Sequence, residues 1–474
     1  MSLALSAGAA TWSQILRVAV TLGTYAVLRR FIPPEEMGVW NWAEALFLLI
    51  GQVRDLGMPA EVCRQREPQF GNYFLVLVAW SLTLAAVIFL TAPWIARAYT
   101  DGDPLLTVDV LRFLCLFLVI QGLGVLPTMH LDVEMLTLRT VPPELVRNAA
   151  FAASSIALAA HGFGVWSVIY AHVGAATLYT LGVWWASRKT LRLKRHPGLV
   201  KVLVLASLPL MVLSLLELSV LSVDVLIYGQ RFTSDIVGNA GLATLAAYFV
   251  GRQLADATGR PLYPAMLRAG AARDSFAVYA AATLLFASVL APAAFSLFLN
   301  AELVTQILGG ADWSGAVDLI RWFAFVPLVR PLSLFGRELL LILRQDRLLL
   351  VYSATSLATI TLLGLLLTRT SLGPFGMPVA GFFALGQFVL LYGIFRIDGA
   401  PIGQLLRRIG AVYAGNAAAF APLLATAERL HPWALFLLSA AVSATTVAFV
   451  GWFYRDEGRR LLAIRRSEEA RAPA

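Results

Sequence analysis

The segment Ala9–Gly57 reads AATWSQILRVAVTLGTYAVLRRFIPPEEMGVWNWAEALFLLIGQVRDLG and decides the fold. Its first arm is a long apolar run that carries Arg17 near its middle and stops at Pro33–Glu36. Proline lacks an N–H and clashes with the preceding turn, whereas carboxylates suit the first turn of the next helix. Each arm is long enough to cross about 30 Å of hydrocarbon. The segment therefore predicts a transmembrane helical hairpin.

Composition extends this prediction to the whole chain. The 474 residues are 59% hydrophobic and 14% charged, against about a quarter charged in a soluble domain. The apolar residues form repeated runs that are long enough to span a bilayer, which excludes a large soluble helical protein. We predict an all-α integral membrane protein with about fourteen transmembrane helices. The predicted spans are 9–31, 35–57, 72–97, 104–127, 141–160, 163–187, 199–228, 236–257, 275–299, 314–342, 348–368, 376–395, 408–427 and 432–454.

The distribution of Lys and Arg predicts the orientation of these spans. Connections after even-numbered spans, with the adjoining ends of the spans and the C-terminal tail, hold 26 basic residues, whereas connections after odd-numbered spans, with their adjoining span ends, hold six. Basic residues concentrate on the cytoplasmic side of a membrane, so both termini are predicted to be cytoplasmic. The net charge of +9 follows mostly from this asymmetry. We therefore expect membrane lipids as its partners, and no nucleic acid.

A weak internal repeat suggests two halves. Pro34–Gly38 followed by Ala43 has a counterpart in Ser234–Gly238 followed by Ala243. A second pair of turns, His161–Trp166 and Gly373–Met377, occurs in the same order. Each motif opens an apolar span after a short break, which indicates a duplicated architecture. We predict an N-terminal six-helix lobe at 1–190, a C-terminal six-helix lobe at 191–400, and two trailing helices with a basic tail at 401–474.

Several short motifs resemble one family of membrane proteins. The turn Arg29–Trp40 resembles the R-x-L-x-P-E-E-F-G turn of bacterial polysaccharide exporters, and Asp55–Met58 resembles their D-L-G-L helix end. The turn Gly162–Ser167 is similar to their G-x-G-W-A-L turn. The second half follows their D-x-x-L-I-G…G-x-Y…P pattern at Asp224, Ile227–Gly229, Gly238, Ala247 and Pro264. It departs from this pattern at Asn239-Ala240, which replace the usual tyrosine. The family is the polysaccharide-transporter (Wzx-type) branch of the MOP exporter superfamily.

This resemblance implies a MATE-like fold with two six-helix bundles around a central cavity. It also implies a flippase of the bacterial cytoplasmic (inner) membrane. Such a protein moves an undecaprenyl-pyrophosphate-linked oligosaccharide, a precursor of lipopolysaccharide or exopolysaccharide, to the periplasmic leaflet. A polysaccharide polymerase and glycosyltransferases are candidate partners.

Charged residues inside the spans are the candidate site. A charge at the centre of a bilayer costs about 3 kcal/mol or more, so it normally faces a cavity or a partner. Arginine suits a pyrophosphate because its planar donors match phosphate oxygens. We predict substrate binding by Arg17 and Arg330 from opposite lobes, with Arg321 and Arg112 as further cavity residues. The alternative is that each arginine pairs with a neighbouring acid and has only a structural role.

Acidic residues form the second candidate group. Glu217 and Asp224 are seven apart on span seven and share roughly one helix face. Together with Glu44 they are predicted to couple transport to an ion or to form salt bridges. Arg54 and Asp55 lie at the inner end of span two and are predicted to belong to a gate or inner interface. The prolines Pro209, Pro327 and Pro331 are predicted to interrupt spans seven and ten.

Four other functions compete with this prediction. A MATE-like antiporter of small molecules should favour an acidic cavity, and a peptidoglycan-precursor flippase would share the fold. A membrane glycosyltransferase or polymerase of the same pathway needs a larger extramembrane region than the connection 300–312. A scaffold for an assembly complex could coexist with transport. The sequence has no Walker-type loop, and its two cysteines give no metal-ligand spacing. We therefore expect a transporter and not an enzyme, without cofactor or metal.

Overall fold

The structure is a computed structural model, and almost all of the residues it describes are helical. It describes residues 20–59, 62, 70–99, 103–134, 136, 139–191, 193, 200–247, 266, 272–397 and 401–453. These residues contain no β-strand. They divide into two compact units. We call the described residues of Ala19–Gly241 and Leu308–Asp312 the N-terminal unit, and those of Leu242–Ile307 and Trp313–Ala474 the C-terminal unit.

The first hairpin begins the N-terminal unit as predicted. Helix α1 is described at residues 20–28, and α2 runs over Pro34–Asp55. Pro33 is the N-cap of α2, Pro34 is its first residue, and both glutamates lie in its first turn. Proline is favoured at this position because the first helical N–H has no partner within the helix. The Glu36 carboxylate also accepts a hydrogen bond from the backbone N–H of Val165 at 2.7 Å, which ties the start of α2 to a later turn.

The rest of the N-terminal unit is a set of long helices. They are α3 (Phe70–Ala96), α4 (Pro104–Val133), α5 (Val141–Ala160), α6 (Trp166–Ser187), α7 (Val200–Arg231) and the first part, up to Gly241, of α8, which is described at residues 234–247. Close packing of α4 and α6 depends on small residues. A Cβ on Gly124 would lie 2.8 Å from the hydroxyl oxygen of Thr180, and this hydroxyl donates to the carbonyl of Ile120 at 3.1 Å. Small residues of this kind let membrane helices approach closely.

Helices α2 and α8 cross at a reciprocal contact between glycines and carbonyls. A Cβ on Gly38 would lie 2.0 Å from the carbonyl oxygen of Ser234, and a Cβ on Gly238 would lie 2.0 Å from the carbonyl oxygen of Pro34. Real Cβ atoms do not approach an oxygen so closely. Only glycine therefore fits at both positions. These are the two glycines of the repeat that the sequence suggested.

The C-terminal unit contains helices of more varied length. They are α9 (Ala272–Leu299), α10 (Ala301–Leu308), α11 (Ala316–Phe323), α12 (Arg330–Ile342), α13 (Asp346–Leu367), α14 (Gly376–Phe382), α15 (Gly386–Phe395), α16 (Ile402–Thr426) and α17 (Pro432–Phe453). Its core forms where α9, α12 and α15 meet. Phe286, Phe335, Leu339, Leu390 and Ile394 are buried there, and the rings of Phe286 and Phe335 meet edge to face with centroids 5.4 Å apart.

The structure divides predicted span ten into two helices. The chain leaves α11 at Phe323, passes through a 3₁₀ turn at Val326–Val329, and begins α12 at Arg330. Pro327 lies in the turn and Pro331 in the first turn of α12, so the predicted interruption is confirmed here. Pro209 behaves differently, because α7 continues through it without a break.

The last helix is fixed to α9 by a polar contact. The Asn300 side-chain amide donates to the Ser439 hydroxyl at 2.8 Å and to the backbone carbonyl of Ser296 at 2.7 Å. The Ser296 hydroxyl lies 3.2 Å from the same Ser439 oxygen. Hydrogen bonds of this kind add specificity to the packing of helices in a membrane. Apolar contacts alone give little specificity there, because the lipid tails are also apolar.

Eight described helical segments are long and apolar enough to cross a membrane. They are Phe70–Ala96, Pro104–Leu131, Val200–Val220, Asp274–Leu299, Arg347–Leu367, Gly373–Phe395, Ile402–Arg429 and Pro432–Trp452. Each overlaps a predicted span. Large apolar side chains such as Leu90, Leu362 and Phe395 are exposed, as expected of surfaces that contact lipid. The chain is therefore a multi-pass, all-helical membrane protein.

Candidate functional site

Arg54 forms the most completely described part of the predicted site. Its side chain is 4% exposed and lies in the last turn of α2, where a cation complements the helix dipole. The Nε atom is 2.8 Å from a carboxylate oxygen of Asp55. One terminal nitrogen donates to the Gln121 side-chain oxygen at 2.9 Å and to the Leu118 carbonyl at 3.3 Å. Arg54 thus joins the C-terminal end of α2 to the middle of α4.

The chain turns sharply after Asp55 and contacts α7. Leu56 and Gly57 have left-handed backbone conformations, with φ of 52° and 67°. A Cβ on Gly57 would lie 2.5 Å from the backbone nitrogen of Met211 and 2.6 Å from the carbonyl oxygen of Ser207. Glycine is required here by both its φ and the lack of space. The contacted stretch of α7 includes Pro209.

Glu44 lies among aromatic and polar side chains of the first hairpin. The Trp40 side chain lies close to both the Glu44 carboxylate and the Tyr25 hydroxyl, although its buried Nε1 makes no hydrogen bond to a described residue. Tyr25 is also within electrostatic range of Glu44 and of Arg29. The Arg29 guanidinium carbon is 5.5 Å from the centre of the Tyr25 ring. The carboxylate is therefore one member of a polar cluster formed by α1 and α2.

Aromatic rings surround this cluster. The His172 ring, on α6, lies 5.1 Å from Trp40, 4.9 Å from Phe117 and 5.5 Å from Phe151, measured between ring centres. Arg147, on α5, is within electrostatic range of His172. Five helices of the N-terminal unit, α1, α2, α4, α5 and α6, thus contribute aromatic or titratable side chains to one region.

The other predicted residues of the N-terminal unit lie apart from Arg54. Arg112 is exposed on α4, and its guanidinium carbon is 5.0 Å from the centre of the Phe89 ring. Glu217 and Asp224 are partly exposed on α7, and the Asp224 carboxylate accepts from the backbone N–H of Val225 at 2.8 Å. Both acids have further interactions.

In the C-terminal unit, Arg321 bridges two acids. Its two terminal nitrogens lie 3.0 Å from a Glu302 oxygen and 2.9 Å from an Asp318 oxygen. All three side chains are at least 36% exposed. Arg330 begins α12, but its side chain lies outside the described residues, as does the whole of Arg17.

The structure therefore brings together some predicted residues and not others. Arg54 and Asp55 are in direct contact, and Arg321 contacts two acids that the sequence did not select. Sequence reasoning also missed Gln121 as a partner of Arg54, and it missed Tyr25 and Trp40 as neighbours of Glu44. A polar Gln121 within an apolar span was a usable signal, although its partner is 67 residues away. Within the described ranges, no group of three or more His, Cys, Asp or Glu could hold a metal ion.

One family profile matches most of the chain. The family described as "Polysaccharide biosynthesis protein" matches residues 27–318, which is more than half of the sequence. No curated protein matches the chain.

Solved structures of several membrane transporters share the fold. The lipid II flippase MurJ in an inward closed conformation matches with a TM-score of 0.77 and 11% identity, over 95% of this chain and 99% of MurJ. An inward-facing multidrug resistance MATE transporter of the MOP superfamily matches with a TM-score of 0.60 and 15% identity, over 84% and 95%. A mutant of a Vibrio cholerae MATE transporter matches with a TM-score of 0.52 and 14% identity, over 83% and 95%.

These matches agree with the all-helical membrane architecture and with the motifs around the first hairpin. At such identities, the structural matches establish the fold, while the profile match establishes the family. The chain therefore belongs to the polysaccharide biosynthesis protein family and has a fold like those of MurJ and the MATE transporters.

Proposed function

We propose that this protein is a flippase that moves an undecaprenyl-pyrophosphate-linked oligosaccharide from the cytoplasmic to the periplasmic leaflet by alternating access. The observation that carries the proposal is the pairing of its family with its fold. A polysaccharide biosynthesis protein that consists of MATE-like membrane helices is suited to transport. We propose the bacterial cytoplasmic membrane as its location, with both termini in the cytoplasm, and a glycan of the lipopolysaccharide or exopolysaccharide type.

The proposed architecture has fourteen spans, arranged as two six-helix lobes and two trailing helices. The reciprocal contacts of Gly38 and Gly238 support the repeat, because equivalent positions of two related hairpins meet at their helix starts. The basic residues of alternate connections support the orientation.

The proposed site combines cations for the pyrophosphate with acids for coupling. Arg17 and Arg330 hold the pyrophosphate, with Arg112 and Arg321 as further contacts for the substrate. Glu217, Asp224 and Glu44 bind a coupling ion or form salt bridges. Arg54 and Asp55 stabilise the inner interface, and the burial of Arg54 between α2 and α4 supports a structural role for that pair.

A peptidoglycan-precursor flippase is the second candidate. The likeness in fold to MurJ, over almost the whole of both chains, favours it. Both candidates are transporters of a lipid-linked sugar. They differ in the glycan and therefore can be separated by the choice of substrate.

Inverted inner-membrane vesicles test the proposal directly. Radiolabelled lipid-linked oligosaccharide is made on the exposed cytoplasmic leaflet, and its transfer to the lumen is followed by loss of access to an added glycosidase. We expect transfer to fall sharply in vesicles that lack this protein and to return when it is supplied. Equal transfer with and without the protein would remove the proposal. Dependence of labelled lipid II transfer on the protein would favour the second candidate.

Substitution of the central arginines tests the pyrophosphate site. Arg17→Ala and Arg330→Ala should each lower transfer by at least about tenfold, because one charge-assisted contact to phosphate is lost. Protein levels in the membrane, measured by immunoblotting, should stay near those of the wild type. If protein levels fall instead, the residue has a structural role.

A further inference from the structure

The outer connections of the C-terminal unit form a folded surface. The charge asymmetry of the sequence predicts that α9 and α13 end on the periplasmic side. Helix α9 leads into α10 and then into α11, which forms the outer end of predicted span ten, whereas α13 leads into the 3₁₀ turn Gly373–Phe375. Trp313 and Phe323 are almost fully buried beneath this surface. These connections therefore hold defined side-chain positions.

An exposed aromatic pair lies on this surface. The Trp322 side chain is 44% exposed, and its ring stacks on the Phe375 ring with centres 5.8 Å apart and planes 27° apart. Stacking orients the Trp322 ring and leaves much of it open. The negative face of an aromatic ring attracts the slightly positive C–H groups of a sugar ring. A flat, fixed and open indole is thus suited to bind a pyranose.

The polar groups beside this pair are suited to sugar hydroxyls. Asp318 precedes Trp322 by four residues on α11, so both side chains project from the same side of the helix. Arg321 bonds to one oxygen of Asp318 and one of Glu302, which leaves each carboxylate with further acceptor capacity. One arginine and two acids give a net charge of −1, which favours uncharged sugars over acidic ones. Ion pairs this exposed add little stability.

An interfacial anchor is the alternative interpretation of Trp322, since tryptophan is enriched at both membrane surfaces. Trp433 illustrates that alternative in the same unit. It is 53% exposed, and its ring meets Phe436 nearly edge-on, at 83°. Trp322 differs because its ring is stacked and because a carboxylate shares its side of the helix.

We propose that Trp322 and Phe375, together with the Arg321–Glu302–Asp318 network, bind uncharged sugar units of the glycan on the periplasmic side. The proposal rests on the proposed function and assigns it a contact for the glycan, separate from the pyrophosphate. Trp322 stacks on a sugar ring while the two carboxylates accept hydrogen bonds from its hydroxyls. This contact stabilises the glycan on the periplasmic side of the transporter.

The first test compares two substrates in inverted vesicles. One is the lipid pyrophosphate with a single sugar, and the other carries the complete oligosaccharide from the same cells. Trp322→Ala should lower transfer of the complete oligosaccharide by about tenfold, because one aromatic stacking contact with the sugar is lost. Transfer of the single-sugar lipid should stay unchanged, Trp322→Phe should restore much of the loss, and Trp433→Ala should resemble the wild type. Equal effects on both substrates, or equal effects of Trp322→Ala and Trp433→Ala, would overturn the proposal.

The second test measures binding without transport. The free oligosaccharide, released from its lipid by mild acid, is added to the purified full-length protein and followed by saturation-transfer NMR. We expect saturation of sugar protons with the wild type and with Trp433→Ala, and its loss with Trp322→Ala. Binding in the absence of any vesicle transfer would contradict the proposed function but support this site. Absence of saturation with the wild type would contradict the site itself.

Discussion

Arg54 buries a positive charge in the last turn of α2 and satisfies it locally. Its partners are the adjacent Asp55, Gln121 and the Leu118 carbonyl. A buried ion pair seldom adds net stability, but the removal of one partner leaves the other charge without compensation. The main effect of the network is therefore to fix the position at which the end of α2 contacts α4.

Replacement of Arg54 tests this interpretation. Arg54→Ala should lower the free energy of unfolding by about 3 kcal/mol, because Asp55 and Gln121 both lose a donor. Arg54→Lys should recover only part of this, since an ammonium cannot reproduce the planar set of donors. The measurement is thermal unfolding of the detergent-solubilised protein. Arg188→Ala, an exposed arginine against the Trp185 ring, is the control and should have little effect. An Arg54→Ala protein as stable as this control would contradict the prediction.

The crossing of α2 and α8 depends on two glycines and on backbone contact. Each glycine faces the carbonyl oxygen at the start of the other helix. A hydrophobic pattern cannot produce such a contact, because it requires that a side chain be absent. The same reasoning applies at Gly57, where α2 ends against the backbone of α7.

Alanine substitutions should separate these glycines from others in the same helix. Gly38→Ala and Gly238→Ala should each lower the unfolding temperature, because the added Cβ overlaps a carbonyl oxygen. Gly51→Ala, also on α2, meets no atom within 4 Å. It should leave stability unchanged or raise it by up to about 1 kcal/mol, since alanine is the better helix former. Equal effects of Gly38→Ala and Gly51→Ala would show that the close crossing does not form.

The attachment of α17 to α9 is polar and therefore sensitive to single substitutions. Ser439→Ala should weaken it by about 1 kcal/mol, because the Asn300 amide loses one of its two acceptors. Thermal unfolding in detergent is the measurement. The control is Thr445→Val on the same helix, whose exposed hydroxyl bonds only to the preceding turn at Ala441. A loss for Thr445→Val as large as for Ser439→Ala would assign the effect to the helix itself.

Orientation of the whole molecule in the membrane follows from its basic residues. The excess of Lys and Arg in alternate connections predicts that residues 188–195 and the C-terminus are cytoplasmic, and that 301–312 is periplasmic. Alkaline phosphatase is active only outside the cytoplasm. Its fusion after Asp312 should therefore be active, whereas fusions after Arg195 or Ala474 should be inactive. An active fusion at Ala474 would contradict the cytoplasmic C-terminus.

The sequence by itself determined the class of the protein. Long apolar runs made it a helical membrane protein, Pro33–Glu36 marked the start of α2, and Pro327 with Pro331 predicted the interruption after α11. The short motifs also led to the correct family and to the MATE-like fold. These features are readable because they depend on the length, hydrophobicity and chain stiffness of adjacent residues.

Only the tertiary structure decided which distant residues meet. Gln121 is 67 residues from Arg54, and Glu302 is 19 residues from Arg321. The stacking of Trp322 on Phe375 likewise joins α11 to the distant 3₁₀ turn Gly373–Phe375. Periodicity shows which side of a helix is apolar, but the neighbour of a polar group depends on how helices cross. That crossing is set by close packing of small residues such as Gly38 and Gly238. The sequence shows that these glycines are present, but it does not show which backbone atoms they contact.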